Sequence, residues 1–204
     1  AIECAVMAAA CDLFGLDIAP MERARLAQRA ENVYVGAPTG LLDQAASTLC
    51  RNGHGLFLDC RTLETTDVPL PLHDQGFEIL VLDTHTPHSH IDGEYGERRA
   101  TCEQAAKILG VRALRDVTDL DAALSRLPDT QMRRRVRHVV SENERTRTAL
   151  DLARKGLLSE LPRLLNESHI SMREDYEITV PAVDLAVETA LMHGAFGARM
   201  TGGG

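Results

Sequence analysis

Pro69, Pro71 and Gly76 lie close together and interrupt the hydrophobic patterning of the chain more completely than any other stretch. Proline removes a backbone donor and fixes φ, while glycine loosens the backbone, so neither a helix nor a central strand runs through such a segment. The chain is therefore expected to divide into residues 1–74 and residues 75–204. Before the break, Ile2, Val6, Ala9, Ala10, Leu13 and Phe14 recur at helical spacing until Gly15 stops them. A second helix is predicted from about Met21 to Glu31, and a short apolar one over Leu41–Leu49 follows the turn Gly36-Ala37-Pro38-Thr39-Gly40. Leu56–Cys60 and Glu64–Val68 read as a hairpin around Arg61-Thr62-Leu63. After the break, Phe77–Asp83 is an apolar run of strand length. Helices are predicted from about Tyr95 to Leu109, from the N-cap Asp119 to Leu127, and over Thr130–Lys155, Ser159–Asp175 and Pro181–His193. Gly110, Gly156 and Gly194 mark helix ends, and Pro181 suits a first turn. This order predicts an α+β protein.

Composition narrows the function classes. An apolar content of 44% over 204 residues can build a core. No Trp, three Tyr and four Phe make base stacking or an aromatic sugar platform a poor fit. A net charge of −8 opposes nonspecific nucleic-acid binding. The run Arg133-Arg134-Arg135-Val136-Arg137 is expected to form the solvated face of a helix, with phosphate steering as the alternative. Cys4, Cys11, Cys50, Cys60 and Cys102 are odd in number and lack Cys-x-x-Cys spacing, which points to reduced thiols, a cytoplasmic setting and small buried apolar side chains. No apolar run approaches the roughly 18 residues of a membrane span.

The chemistry concentrates at two places. Glu31 sits near the end of a predicted helix and Asp43 just beyond a Gly/Pro-rich turn. Two carboxylates near one cleft suit a magnesium ligand and a base for a hydroxyl nucleophile. A Glu in the last turn of a helix opposes the negative helix end and is more natural beside a cation. Asp43, at a position where a lone Asp is usually a helix cap or a solvated charge, begins a largely apolar helix where desolvation would strengthen it as a base. The segment Gly197–Gly204 supplies a glycine-rich turn whose backbone N–H groups can approach phosphates. Together these features read as phosphoryl transfer. His85, His88 and His90 lack a familiar zinc spacing and read as loop or domain-interface histidines. Ser168 and His169, adjacent on a helix, point in different directions and read as helix-packing residues rather than a nucleophile and its base.

Five blocks carry a resemblance: Ala27–Asn32 running on to Gly40-Leu41-Leu42-Asp43-Gln44, then Glu94–Arg99, His138–Arg145, Ser168–Tyr176 and Gly197–Gly204. In this order the chain resembles the galactokinase family of the galactose/homoserine/mevalonate/phosphomevalonate (GHMP) kinase superfamily. The resemblance implies the GHMP-kinase fold, with residues 1–74 as the C-terminal part of a ribosomal-protein-like N-terminal domain and residues 75–204 as a ferredoxin-like C-terminal domain. It implies ATP-dependent phosphorylation of α-D-galactose at the anomeric hydroxyl, with Mg2+ as cofactor. It assigns Asp43 as the catalytic aspartate, acting as base or as orienting group, and Glu31 as the magnesium ligand. Tyr95, by position alone an amphipathic helix-entry residue, would hydrogen-bond the sugar, and Gly40 would touch it through its backbone. Thr201, Gly202, Gly203 and Gly204 would close over the phosphates. A cytoplasmic monomer binding galactose and ATP, without nucleic acid or membrane, is implied. In the family a Ser-rich phosphate loop and an Arg-containing sugar segment precede the opening helix. The chain is thus expected to be a segment of a longer enzyme, inactive and poorly folded by itself. Kinases for a related sugar, such as N-acetylgalactosamine or arabinose, and a catalytically silent regulator that binds sugar and ATP are the rival readings. Retention of Asp43 and Glu31 favours the enzyme.

Overall fold

The computed structural model describes residues 2–36, 39–86 and 91–202, excepting the side chains of 91–95. The chain forms two compact units, Ala1–Gly76 and Phe77–Gly204.

In the first unit, α1 (Ile2–Phe14), α2 (Pro20–Arg29) and α3 (Leu42–Leu49) precede a hairpin of β1 (His54–Leu58) and β2 (Thr65–Pro69). Pro20 occupies the first turn of α2, where its missing N–H has no intrahelical partner to lose. Past Arg29 the helix does not stop near Glu31 as expected. It widens into a π-helical turn, Ala30–Val35, that ends at Gly36, left-handed at φ 81°. The three helices meet through small side chains, with Cys11, Ala24, Ala27 and Ala45 buried. Ile2, Val6, Leu13 and Phe14, most of the predicted stripe of α1, remain exposed. The hairpin is antiparallel with His54 opposite Pro69 and Leu58 opposite Thr65. Its first strand starts two residues before the predicted Leu56, since Gly53 at φ 71° makes the turn that admits it. The Asp59 carboxylate closes the loop by accepting from the N–H groups of Arg61 and Thr62.

The second unit contains α4 (Ile91–Leu109), α5 (Leu120–Arg126), α6 (Thr130–Arg154), α7 (Leu161–Ser171) and α8 (Pro181–Met192), with a π-helical turn, Met172–Tyr176, after α7. Side-chain caps start two of them. Asp119 accepts from Ala122 N–H at 3.0 Å and Asp129 from Met132 N–H at 2.7 Å. The core joins Ala105, Ala106 and Leu109 of α4, Leu114, Ala123 of α5, Leu127, and Met132 and Val136 of α6.

The apolar run Phe77–Asp83 is not a strand. It has no regular structure, and Ile79, Leu80, Val81 and Leu82 are exposed. A strand needs a neighbour for its N–H and C=O groups, and among the described residues of this unit there is no strand to pair with. The sheet of the described residues is the two-stranded hairpin of the first unit, so the mixed α+β character rests on it. No helix among the described residues is long and apolar enough to cross a membrane.

Candidate active site

In the first unit the site grows from the junction of α2, the π-helical turn and α3. The π-turn carries Glu31, and its Oε2 accepts from the Thr39 hydroxyl at 2.9 Å and from the side-chain amide of Gln44. Gln44 is 2% exposed and lies in the first turn of α3, beside Asp43. Burying an amide that donates to a carboxylate holds the carboxylate in place, because breaking the bond would strand the Gln44 amide away from water. The second oxygen, Oε1, takes no hydrogen bond from the described residues. A half-buried carboxylate with one oxygen held and one left over fits a hard divalent cation, which takes oxygen ligands.

Asp43 itself is exposed, so the desolvation expected from its apolar helix is not supplied within its unit. Thr39 and Gly40 are also exposed. The Gln28 side-chain amide donates to the Thr39 carbonyl at 3.2 Å, which ties the chain just before Gly40 back to α2. The structure therefore gathers Glu31, Gly40 and Asp43 around the start of α3. Gln44, quoted in the sequence block but given no role there, is the residue that links them. The signal for it was available: a polar side chain among Leu41, Leu42, Ala45 and Ala46 must find a partner if the helix packs.

In the second unit the described part of the glycine-rich segment ends with Thr201 and Gly202, both exposed, with Gly202 at φ 79°. Gly203 and Gly204 lie outside the described residues, as do the Tyr95 side chain, His88 and His90. Tyr95 is placed only as a position on α4.

In the run of arginines, Arg134 and Arg137 are exposed as expected, and Arg135 is the exception. Arg135 is 4% exposed, inside the unit rather than on a solvated face. Its guanidinium donates to the Asp175 carbonyl at 2.5 Å and to Glu177 Oε2 at 2.7 Å, and lies 5.6 Å from the Tyr176 ring centroid. Arg134 donates to Glu177 Oε1 and Arg137 to Asp175 Oδ1, while Arg133 donates to the Leu127 carbonyl. Arg98 of α4 adds a bond to the Glu177 carbonyl at 2.6 Å. Position 135 falls between Met132, Val136 and Val139 at helical spacing, so the apolar stripe already enclosed it.

A polar core adjoins this clamp. His138 Nδ1 meets Ser171 Oγ at 2.9 Å, and its ring stacks on Tyr176 at 4.3 Å. Burial pushes the His138 imidazole down to about 4, so it is neutral at physiological pH. Burial alone would raise the Glu142 carboxyl, but the Ser168 hydroxyl and the Arg145 guanidinium both bind it and hold it below its ordinary range. Ser168 and His169 are both buried and do take different partners, Glu142 and the backbone of Met200.

The chain is similar to known proteins in sequence and fold. Residues 1–51 match the GHMP kinases N terminal domain and residues 149–204 the GHMP kinases C terminal domain. A galactokinase of Streptomyces coelicolor is 52% identical over 207 residues, covering 100% of this chain and 54% of the relative. A galactokinase of Streptomyces lividans is 52% identical over 196 residues, covering 95% and 49% respectively. The crystal structure of Lactococcus lactis galactokinase complexed with galactose superposes with a TM-score of 0.92 at 35% identity, covering 100% of this chain and 54% of that one. The chain thus spans about half the length of the curated relatives it matches. With both halves of the kinase pattern present in order and the fold shared throughout, this chain belongs to the GHMP kinase family.

Proposed function

We propose that the protein is a galactokinase, transferring the γ-phosphoryl group of ATP to the anomeric hydroxyl of α-D-galactose. The observation that carries this reading is the 52% identity to galactokinases across the whole chain, together with a fold shared with a galactose-bound one. In the proposed reaction the C1 hydroxyl oxygen of galactose forms a bond to the γ-phosphorus while the bond to the bridging oxygen of ADP breaks. Asp43 orients the hydroxyl and receives its proton. Gly40 and Tyr95 contact the sugar, and Thr201, Gly202, Gly203 and Gly204 close over the phosphates with their backbone N–H groups. Glu31, held through Oε2 by Gln44 and Thr39, is the proposed ligand of Mg2+. The cation would neutralise charge on the phosphates. Residues 1–74 serve as part of the N-terminal kinase domain and residues 75–204 as the C-terminal one. The protein works in this reading as a cytoplasmic monomer without nucleic acid.

The test is Asp43→Asn in the intact protein. Galactose 1-phosphate formation should fall at least about a hundredfold, the usual cost of removing a positioned base. Galactose and ATP binding should stay within about tenfold. Turnover near that of the unsubstituted protein in a coupled ADP assay would refute the assignment.

A further inference from the structure

The glycine-rich segment does not reach Thr201 and Gly202 unsupported. Asn166 and His169 lie one turn apart on α7 and so share a face. Asn166 Oδ1 accepts from the Ala198 N–H at 2.9 Å and its amide donates to the Phe196 carbonyl at 3.4 Å. His169 Nδ1 accepts from the Met200 N–H at 3.3 Å. The side chains of one helix therefore bind backbone groups of residues 196, 198 and 200, as a neighbouring strand would. Gly197 lies between them against Pro162, where a Cβ would come within 2.7 Å of the Pro162 Cα and carbonyl oxygen. The close approach that allows these bonds thus requires glycine. Met200, 6% exposed, pins the end of the anchored stretch immediately before Thr201.

We propose that Asn166 and His169 are positioning residues that set the conformation of the glycine-rich segment and thereby its grip on the phosphates of ATP. The inference rests on the reading of Thr201–Gly204 as the phosphate-closing turn. It makes a definite demand on His169. An N–H directed at Nδ1 requires that nitrogen to be unprotonated, which places the ring proton of a neutral imidazole on Nε2. Nε2 faces Asp184 Oδ1 of α8 at 3.3 Å, so the ring proton there is directed at a carboxylate. The charged groups around the ring are Asp184, Arg173 of the π-helical turn and Arg199 of the segment itself. Burial favours the neutral ring over the pull of Asp184 and lowers its pKa. On acidification a proton at Nδ1 would remove the acceptor and set one N–H against another. Phosphate binding should therefore weaken at acid pH through His169.

Steady-state kinetics of the intact protein, with ATP and galactose varied separately across pH, test this. His169→Leu and Asn166→Leu should each raise the KM for ATP about five- to tenfold, the worth of a lost hydrogen bond. The KM for galactose should stay within about twofold. His169→Asn keeps an acceptor near the Nδ1 position. It should restore ATP affinity and abolish the rise in KM for ATP at acid pH that the unsubstituted protein shows. Gly202→Ala, strained at φ 79°, is the control for the phosphate reading itself and should raise the KM for ATP. If Gly202→Ala weakens ATP while His169→Leu and Asn166→Leu do not, the anchoring role is refuted and the phosphate reading survives. If Gly202→Ala also leaves ATP unaffected, the phosphate reading fails and the inference with it. Should His169→Leu fail to fold, an unchanged acid rise in His169→Asn overturns the proposal on its own.

Discussion

The first unit packs three helices through alanines and a cysteine, whereas the second closes over a continuous core of Leu, Met, Val and Ala. Both leave apolar side chains exposed, Val6, Phe14 and Tyr34 in the first and Ile79, Leu80 and Val81 in the second, but the second also buries an arginine and two histidines with hydrogen-bond partners. Small-residue contacts bring backbones close but remove little apolar area from water, so they position helices more than they stabilise them. The contrast suits the roles proposed for Glu31 and Asp43 in the first unit, which need accessible groups, and the clamp on Glu177 in the second, which does not.

Core truncation should separate the two units most sharply. Leu127→Ala, at a position 1% exposed, is expected to cost about 2–5 kcal/mol of stability, read from denaturant unfolding followed by hydrogen exchange in α5 and α6. A loss below about 1 kcal/mol would mean that this core is not what holds the second unit together.

Cutting the clamp should come next. Glu177→Ala leaves the buried Arg135 guanidinium short of its carboxylate, and a charged hydrogen bond of this kind is worth about 2 kcal/mol. Glu177→Gln, which keeps an acceptor, should recover part of that in the same unfolding experiment. Equal losses would assign the effect to the backbone alone.

Acid should act on the second unit through His138. Its imidazole is held at about 4 when folded against 6.5 for a free side chain, so the unfolded chain binds the extra proton between those values. The stabilisation is complete above 6.5 and is lost as pH falls toward 4. His138→Phe should flatten that slope in thermal melts. A slope that persists unchanged would move the acid sensitivity to another group.

The smallest effects belong to the first unit. Glu31→Gln should shift the Mg2+ concentration for half-maximal rate upward while leaving the melting temperature nearly unmoved, since the amide is a poorer ligand for a hard cation. Val6→Ser, 63% exposed on α1, should change the stability of this chain by no more than about 0.5 kcal/mol. Magnesium titrations of Glu31→Gln that overlay those of the unsubstituted protein would reduce Glu31 to a structural carboxylate.

The helices were legible because their periodicity and caps are local. Asp119 and Asp129 bind the N–H groups three residues on, and Gly156 at φ 71° follows the longest helix. Three features were not. The π-helical turns after Arg29 and Ser171 insert a residue into the helical repeat, and no composition signal accompanies them. Phe77–Asp83 has the pattern of a strand, yet strands are made by partners distant in sequence. Arg135 was misjudged because its neighbours in sequence are arginines, while its neighbours on the helix surface are Met132, Val136 and Val139. Around the proposed site, the sequence shows Glu31 and Asp43 on either side of the Gly36–Gly40 turn. The buried Gln44 that ties Glu31 to the helix carrying Asp43 emerged only from the packing.

Glu177 holds a left-handed backbone at φ 54° while its carboxylate and carbonyl bind Arg134, Arg135 and Arg98. The backbone there is best served by Gly or Asn, and the arginines are best served by Glu. No residue satisfies both demands fully, so selection at this position works on a ridge between two optima. Variants chosen for conformational ease would drift toward Gly or Asn and lose the side-chain contacts, and variants chosen for charge would keep the strain. Asp, acidic and more tolerant of the left-handed region, is the narrow passage between them, and a deep substitution library at position 177 should be correspondingly sparse.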